Sequence, residues 1–98
     1  MSEHEKLDLK VRTKQFALRI IRLYTFLPKT TEAQVLGRQV LDSGTSVGAQ
    51  YREAQRAKSD ADFISKVEGS LQELDETAYC LNCPEILEWY PPKSYIHY

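Results

Sequence analysis

Three stretches of the chain repeat apolar residues at the three-and-four spacing of an amphipathic helix, and polar or proline-bearing segments divide them. In the first, Leu9, Thr13, Phe16, Ile20, Leu23 and Leu27 recur four, three, four, three and four residues apart. That spacing lines one face of a helix in bundle packing. Pro28 ends the pattern, because proline lacks the N–H that a helix interior uses. Thr31-Glu32-Ala33-Gln34 then reads as a T-x-x-Q capping box, and the second helix carries Leu36, Val40, Ser43, Val47, Tyr51 and Ala54 on one face. Ser59-Asp60-Ala61-Asp62 is a further start signal, with acids beside the positive end of a helix. The third helix has the cleanest period, through Ile64, Val67, Leu71, Leu74, Ala78 and Leu81. No segment alternates with the two-residue period of a strand. The expected fold is all-α, an antiparallel up-and-down helical bundle with helices over about residues 7–27, 32–57 and 60–82.

Two features interrupt this regularity. Gly44 and Gly48 lie four apart in the middle of the second helix, where each costs about 1 kcal/mol relative to Ala. Close approach of a neighbouring helix would offset that loss, so both are assigned to helix packing, and a bend would fall here. After Cys83 the helical period stops. Residues 84–98 carry three prolines, and Pro91 and Pro92 exclude a helix interior; Glu85 to Tyr90 leaves room for at most one or two turns. The chain therefore divides into a helical bundle over 1–83 and an irregular Pro- and Tyr-rich tail over 84–98. Three seams with nothing to close the fourth side leave apolar surface exposed, and self-association would cover it. Leu18 and Ile21, with Thr25, form a second stripe roughly opposite the core seam of the first helix, and are the candidate oligomer contacts.

A chain of 98 residues holds one domain. Its 13 Lys and Arg nearly balance 14 Asp and Glu, but they are unevenly placed. Residues 1–58 hold eleven basic and six acidic side chains, and residues 59–98 hold two basic and eight acidic. This polarity fits either attraction between neighbouring helices or a nucleic-acid face. On the second reading Arg12, Arg19 and Arg22 on the first helix, and Arg52, Arg56 and Lys58 near the end of the second, are the candidate phosphate contacts. On the first, Arg52 or Arg56 pairs with acids of the third helix. No apolar run reaches 18 residues, and Met1 to Lys10 is too polar for a secretory leader, so a cytoplasmic protein is expected.

Catalytic chemistry finds little support. Ser43, Ser46 and Ser65 have no histidine nearby in sequence to activate them, since the chain's two histidines are His4 and His97. Cys80-Leu81-Asn82-Cys83 has the C-x-x-C spacing of a redox pair or half a zinc site, but no strand precedes it and no further ligands accompany it. Glu68, Asp75 and Glu76 lack the Glu-x-x-His partner of a di-metal bundle and read as a solvated face. No enzyme activity, cofactor, membrane or small-molecule substrate is expected.

The segments Phe16 to Tyr24, Leu36 to Ala49, Tyr51-Arg52-Glu53-Ala54 and Ala61 to Lys66 resemble the bacterial family of 23S ribosomal RNA intervening sequence proteins, over about residues 10–81. The resemblance implies a four-helix bundle that assembles as a homopentamer, without enzymatic activity. It also implies kinship with the nucleic-acid-binding accessory protein of diversity-generating retroelements. Gln50 stands where the family usually has Asn, and the family's long fourth helix is not matched from Cys80 onward, where the Pro and Tyr content is what a shifted reading frame would leave. The expected function is that of a self-associating, non-enzymatic accessory factor for structured RNA. The alternative is a protein–protein scaffold or a truncated remnant.

Overall fold

Each long helix starts at a hydroxyl side chain. In the computed structural model, which describes residues 2–89, the elements are α1 (Glu3–Phe26), α2 (Thr31–Gln55), α3 (Asp60–Leu81) and α4 (Pro84–Trp89). Ser2 caps α1 by accepting the Glu5 amide at 3.1 Å, which starts that helix several residues before its apolar period begins. Ser59 caps α3 by accepting the Asp62 amide at 3.1 Å. At α2 the cap is Thr30, which accepts the Ala33 amide at 3.3 Å, so the expected box at Thr31 starts one residue early. Gln34 is thereby released for the turn. Its side chain accepts the Tyr24 hydroxyl at 2.9 Å and donates to the Pro28 carbonyl at 3.3 Å, which ties the end of α1 to the start of α2.

The middle helix organises the bundle: α2 packs along both α1 and α3, whereas α1 and α3 barely touch. Buried positions on α2 are Ala33, Gly37, Val40, Ser43, Gly44, Val47, Tyr51 and Ala54, a face wide enough for two neighbours. The helix runs unbroken through its glycines. The continuous core gathers near the α1–α2 turn, where Ile20, Leu23 and Leu27 meet Ala33, Val40, Cys80 and Ile86. At the other end Tyr51 and Gln55 both donate to the Lys6 carbonyl at 3.4 Å, seating the start of α1 on the end of α2.

α3 meets α2 through a different face from the one its periodicity marks. Gly69 approaches Gln50, Ser70 donates to the Val47 carbonyl at 2.8 Å, Thr77 bonds Ser43 at 2.7 Å and both Thr77 and Cys80 are buried. The apolar stripe expected to be the seam points elsewhere: Ile64, Leu71 and Leu74 are exposed, Leu71 to 56%. Small side chains let the two backbones come close, and the larger ones are displaced to the open side.

Residues 84–89, placed in the irregular tail on sequence, form the short α4, within the one or two turns the prolines allow. Pro84 is compatible with a first helical position, where its missing N–H has no helical partner to lose. Ile86 then reaches 0% exposure in the core. The remainder of that tail, residues 90–98, lies outside the described residues.

Candidate functional site

The glycines on α2 set the distance to α1. A Cβ on Gly44 would lie 2.8 Å from Ile20 Cγ1, one on Gly37 2.8 Å from Leu27 Cδ1, and one on Gly48 3.1 Å from Thr13 Oγ1. Gly44 and Gly48 therefore sit where α1 crosses, and Gly37 extends the same rail one end further; its spacing of seven from Gly44 was the available sequence signal. Gln50 faces the other neighbour, where Gly69 supplies the room its longer amide needs.

With α1 and α3 flanking α2, four faces remain. The front is a groove of about 590 Å³ over Val47, walled by Leu9 and Phe16 on one side and Leu74 on the other. Arg12 and Arg19 border it, and Arg12 also lies 3.8 Å from Asp8. The outer face of α1 carries Leu7, Val11, Leu18 and Ile21, all exposed, with Leu18 at 55% and Ile21 at 43%. Arg22 belongs to this face, one turn beyond Leu18. The back of α2 carries exposed Arg38, Arg52 and Arg56, separated by close to whole numbers of turns. Exposed Lys58 follows in the α2–α3 connection. Finally, a groove of about 710 Å³ between α2 and α3 is lined by Asp42, Glu73, Asp75 and Glu76, together with Tyr79.

The six basic candidates thus do not form one patch. Arg12 and Arg19 border the front groove, Arg22 lies beside the outer stripe, and Arg52, Arg56 and Lys58 occupy the far end of α2. Arg38, which the sequence reading passed over, joins the last group by helical repeat. Nor do Arg52 and Arg56 bridge to α3: among the described residues the ion pair between these helices is Glu53 with Lys66, at 3.2 Å.

Cys80 is placed against reactivity. Cys80 is buried with its Sγ 3.9 Å from Gln39 Oε1, and burial, then Cys83, then Glu76 push its thiol above the usual range. A nucleophilic or metal-binding cysteine needs the opposite shift. Among the described residues no group of three or more His, Cys, Asp or Glu could hold a metal ion, and no helix is long and apolar enough to cross a membrane.

These observations define a class, an antiparallel helical bundle built on a glycine-notched central helix, with its distinctive features on outward faces rather than in a pocket. Comparison with known proteins narrows it. The family model described as 23S rRNA-intervening sequence protein matches residues 5–97, and the chain belongs to that family. A solved structure of a protein with unknown function from the S23 ribosomal protein family of Bacteroides thetaiotaomicron VPI-5482 is 43% identical, with a TM-score of 0.74. The similarity covers 85% of this chain and 71% of that one. Comparison with the curated proteins gives no match. The family match continues past Cys80, so it takes in the segment that the sequence reading set apart.

Proposed function

We propose that this protein is a non-enzymatic bundle that self-associates and serves in the cytoplasm as an accessory factor for structured RNA. The observation that carries the reading is the outer face of α1, where Leu7, Val11, Leu18 and Ile21 are all exposed on a helix whose opposite side already fills the core. An exposed apolar stripe of this kind, broken only at Lys14, marks an interaction surface. In the family resemblance the assembly is a pentamer.

RNA is supported by the basic ridge on the back of α2 and by the family's own designation, which names 23S rRNA. Arg38, Arg52, Arg56 and Lys58 can follow a phosphate backbone without reading bases. Arg12 and Arg19, on the front, belong to a different surface. A protein scaffold is the second reading, favoured by the apolar front groove.

Titration with a structured RNA at two salt concentrations tests the RNA reading, with light scattering in parallel. Affinity should fall steeply with salt, and replacing Arg38, Arg52 and Arg56 by Gln should flatten the log–log slope by about one unit per arginine. A flat titration into the tens of micromolar at low salt, where even non-specific phosphate binding should show, refutes it. A scattering mass that stays monomeric refutes self-association.

A further inference from the structure

We infer that the outer face of α1 docks into the acidic groove between α2 and α3 of a second copy of this chain. The inference rests on the self-association reading and names the surface that receives the stripe. Lys14 stands within the stripe, between Val11 and Leu18, and Arg22 borders it one turn after Leu18, so the apolar face carries two cations. The groove presents the complement: Asp42 on α2, Glu73, Asp75 and Glu76 on α3, no basic residue in its lining, and the ring of Tyr79, 76% exposed. An exposed tyrosine beside carboxylates is a surface on which an arginine stacks and an aliphatic side chain packs.

One copy cannot close this contact on itself. α1 lies on the glycine rail of α2, at Gly37, Gly44 and Gly48, whereas the groove opens at Gln39, Asp42 and Ser46. Residues two apart on a helix face nearly opposite ways, so donor stripe and acceptor groove lie on opposite sides of α2. Each copy therefore gives one contact and receives one. Such a heterologous, head-to-tail interface continues beyond a dimer until a ring closes. The stripe from Leu7 to Thr25 is ~27 Å long at 1.5 Å per residue, which places the contact at the small end of interface sizes.

The test is sedimentation of the full chain up to roughly 500 μM, a range suited to a small interface. Lys14→Glu with Arg22→Glu reverses the donor, and Asp42→Lys with Glu76→Lys reverses the acceptor; all four positions are exposed, and circular dichroism checks that each variant folds. Each double variant alone should associate at least about tenfold more weakly than the wild type. An equimolar mixture should recover association and grow past the dimer, because each junction between unlike copies then joins opposite signs, one in the wild-type sense and one in the reversed sense. If the mixture stops at a dimer, or if the wild type associates and neither variant weakens it, the docking is wrong although self-association stands. A wild type that stays monomeric removes both.

Discussion

Replacing Gly44 by Ala sets two effects of known sign against each other. In an exposed helix the change is favourable by about 1 kcal/mol, because alanine loses less backbone freedom on folding. Here the new methyl would meet the branch point of a buried side chain, 2.8 Å from Ile20 Cγ1, 3.0 Å from its Cγ2 and 3.2 Å from its Cβ. Ile20 is 3% exposed and β-branched, so it has essentially one rotamer in a helix and no direction in which to yield. Either α1 moves off α2 or the overlap stays, and overpacking of this sort costs about 1–3 kcal/mol. Set against the gain of about 1 kcal/mol, the expected net loss is up to about 2 kcal/mol, or a Tm lower by up to roughly 16 °C for a domain of this size.

Urea unfolding followed by far-UV circular dichroism measures it, at one protein concentration so that association does not shift the midpoint. The partner variants locate the cause. Ile20→Val keeps both Cγ atoms and should not relieve Gly44→Ala. Ile20→Ala removes them, so its cost of about 2–5 kcal/mol in the wild type should shrink by at least about 1 kcal/mol beside Gly44→Ala. Gly48→Ala, whose nearest neighbour is Thr13 Oγ1 at 3.1 Å, should be close to neutral by the same reasoning. If Gly44→Ala stabilises the protein by about 1 kcal/mol, or Ile20→Ala costs the same in both backgrounds, the close crossing of α1 and α2 is not what holds that glycine in place.

Three further outcomes follow from the packing. Thr77 donates to the Glu73 carbonyl at 2.8 Å, so the buried 2.7 Å contact is a bond from Ser43 to Thr77; Ser43→Ala and Thr77→Val should each cost about 1–2 kcal/mol and the pair together less than their sum, in a urea double-mutant cycle. Ile86→Ala should cost about 2–5 kcal/mol despite lying in a six-residue helix, measured by the same unfolding experiment, because its side chain is fully buried in the core. Burial raises the pKa of both the Cys80 thiol and the Tyr51 phenol, so the folded state holds those protons longer than the unfolded chain; stability should be level below about pH 8 and fall as pH rises past the ordinary thiol and phenol ranges, with Cys80→Ala reducing the first part of the fall.

How much of this was legible in the sequence differs helix by helix. The core seam of α1 was readable at Ile20, Leu23 and Leu27, because those large side chains face a neighbour that is also apolar. Nearly all of the α2 face was readable too, since a helix packed on both sides buries whatever its period marks. α3 was not. Its period is the most regular in the chain, yet hydrophobic spacing reports which side chains are alike, not which of them a neighbour can approach. The approach went to Gly69, Ser70 and Thr77, whose polar atoms are satisfied within the interface and whose size leaves room for Gln50. The basic residues were legible one at a time and illegible as a set, because residues on two antiparallel helices share a face only once the crossing is known.

The displaced stripe on α3 also bears on why the functional surfaces lie outside the core. A bundle that seats its third helix on small and polar residues leaves Ile64, Leu71 and Leu74 exposed, and α4 covers only the end where Ile86 enters. Among the described residues two exposed apolar surfaces can be compared, the front of the bundle and the outer face of α1, and they differ in their charged borders. The front is edged on the α1 side by Arg12 and Arg19, and its lining holds no acid, since Glu73, Asp75 and Glu76 line the groove between α2 and α3. The outer face of α1 has cations beside it and its acidic complement on the far side of α2. Only the second arrangement brings cations of one copy to acids of another, which is why weakening by salt should accompany assembly through the outer face of α1 rather than closure of the front.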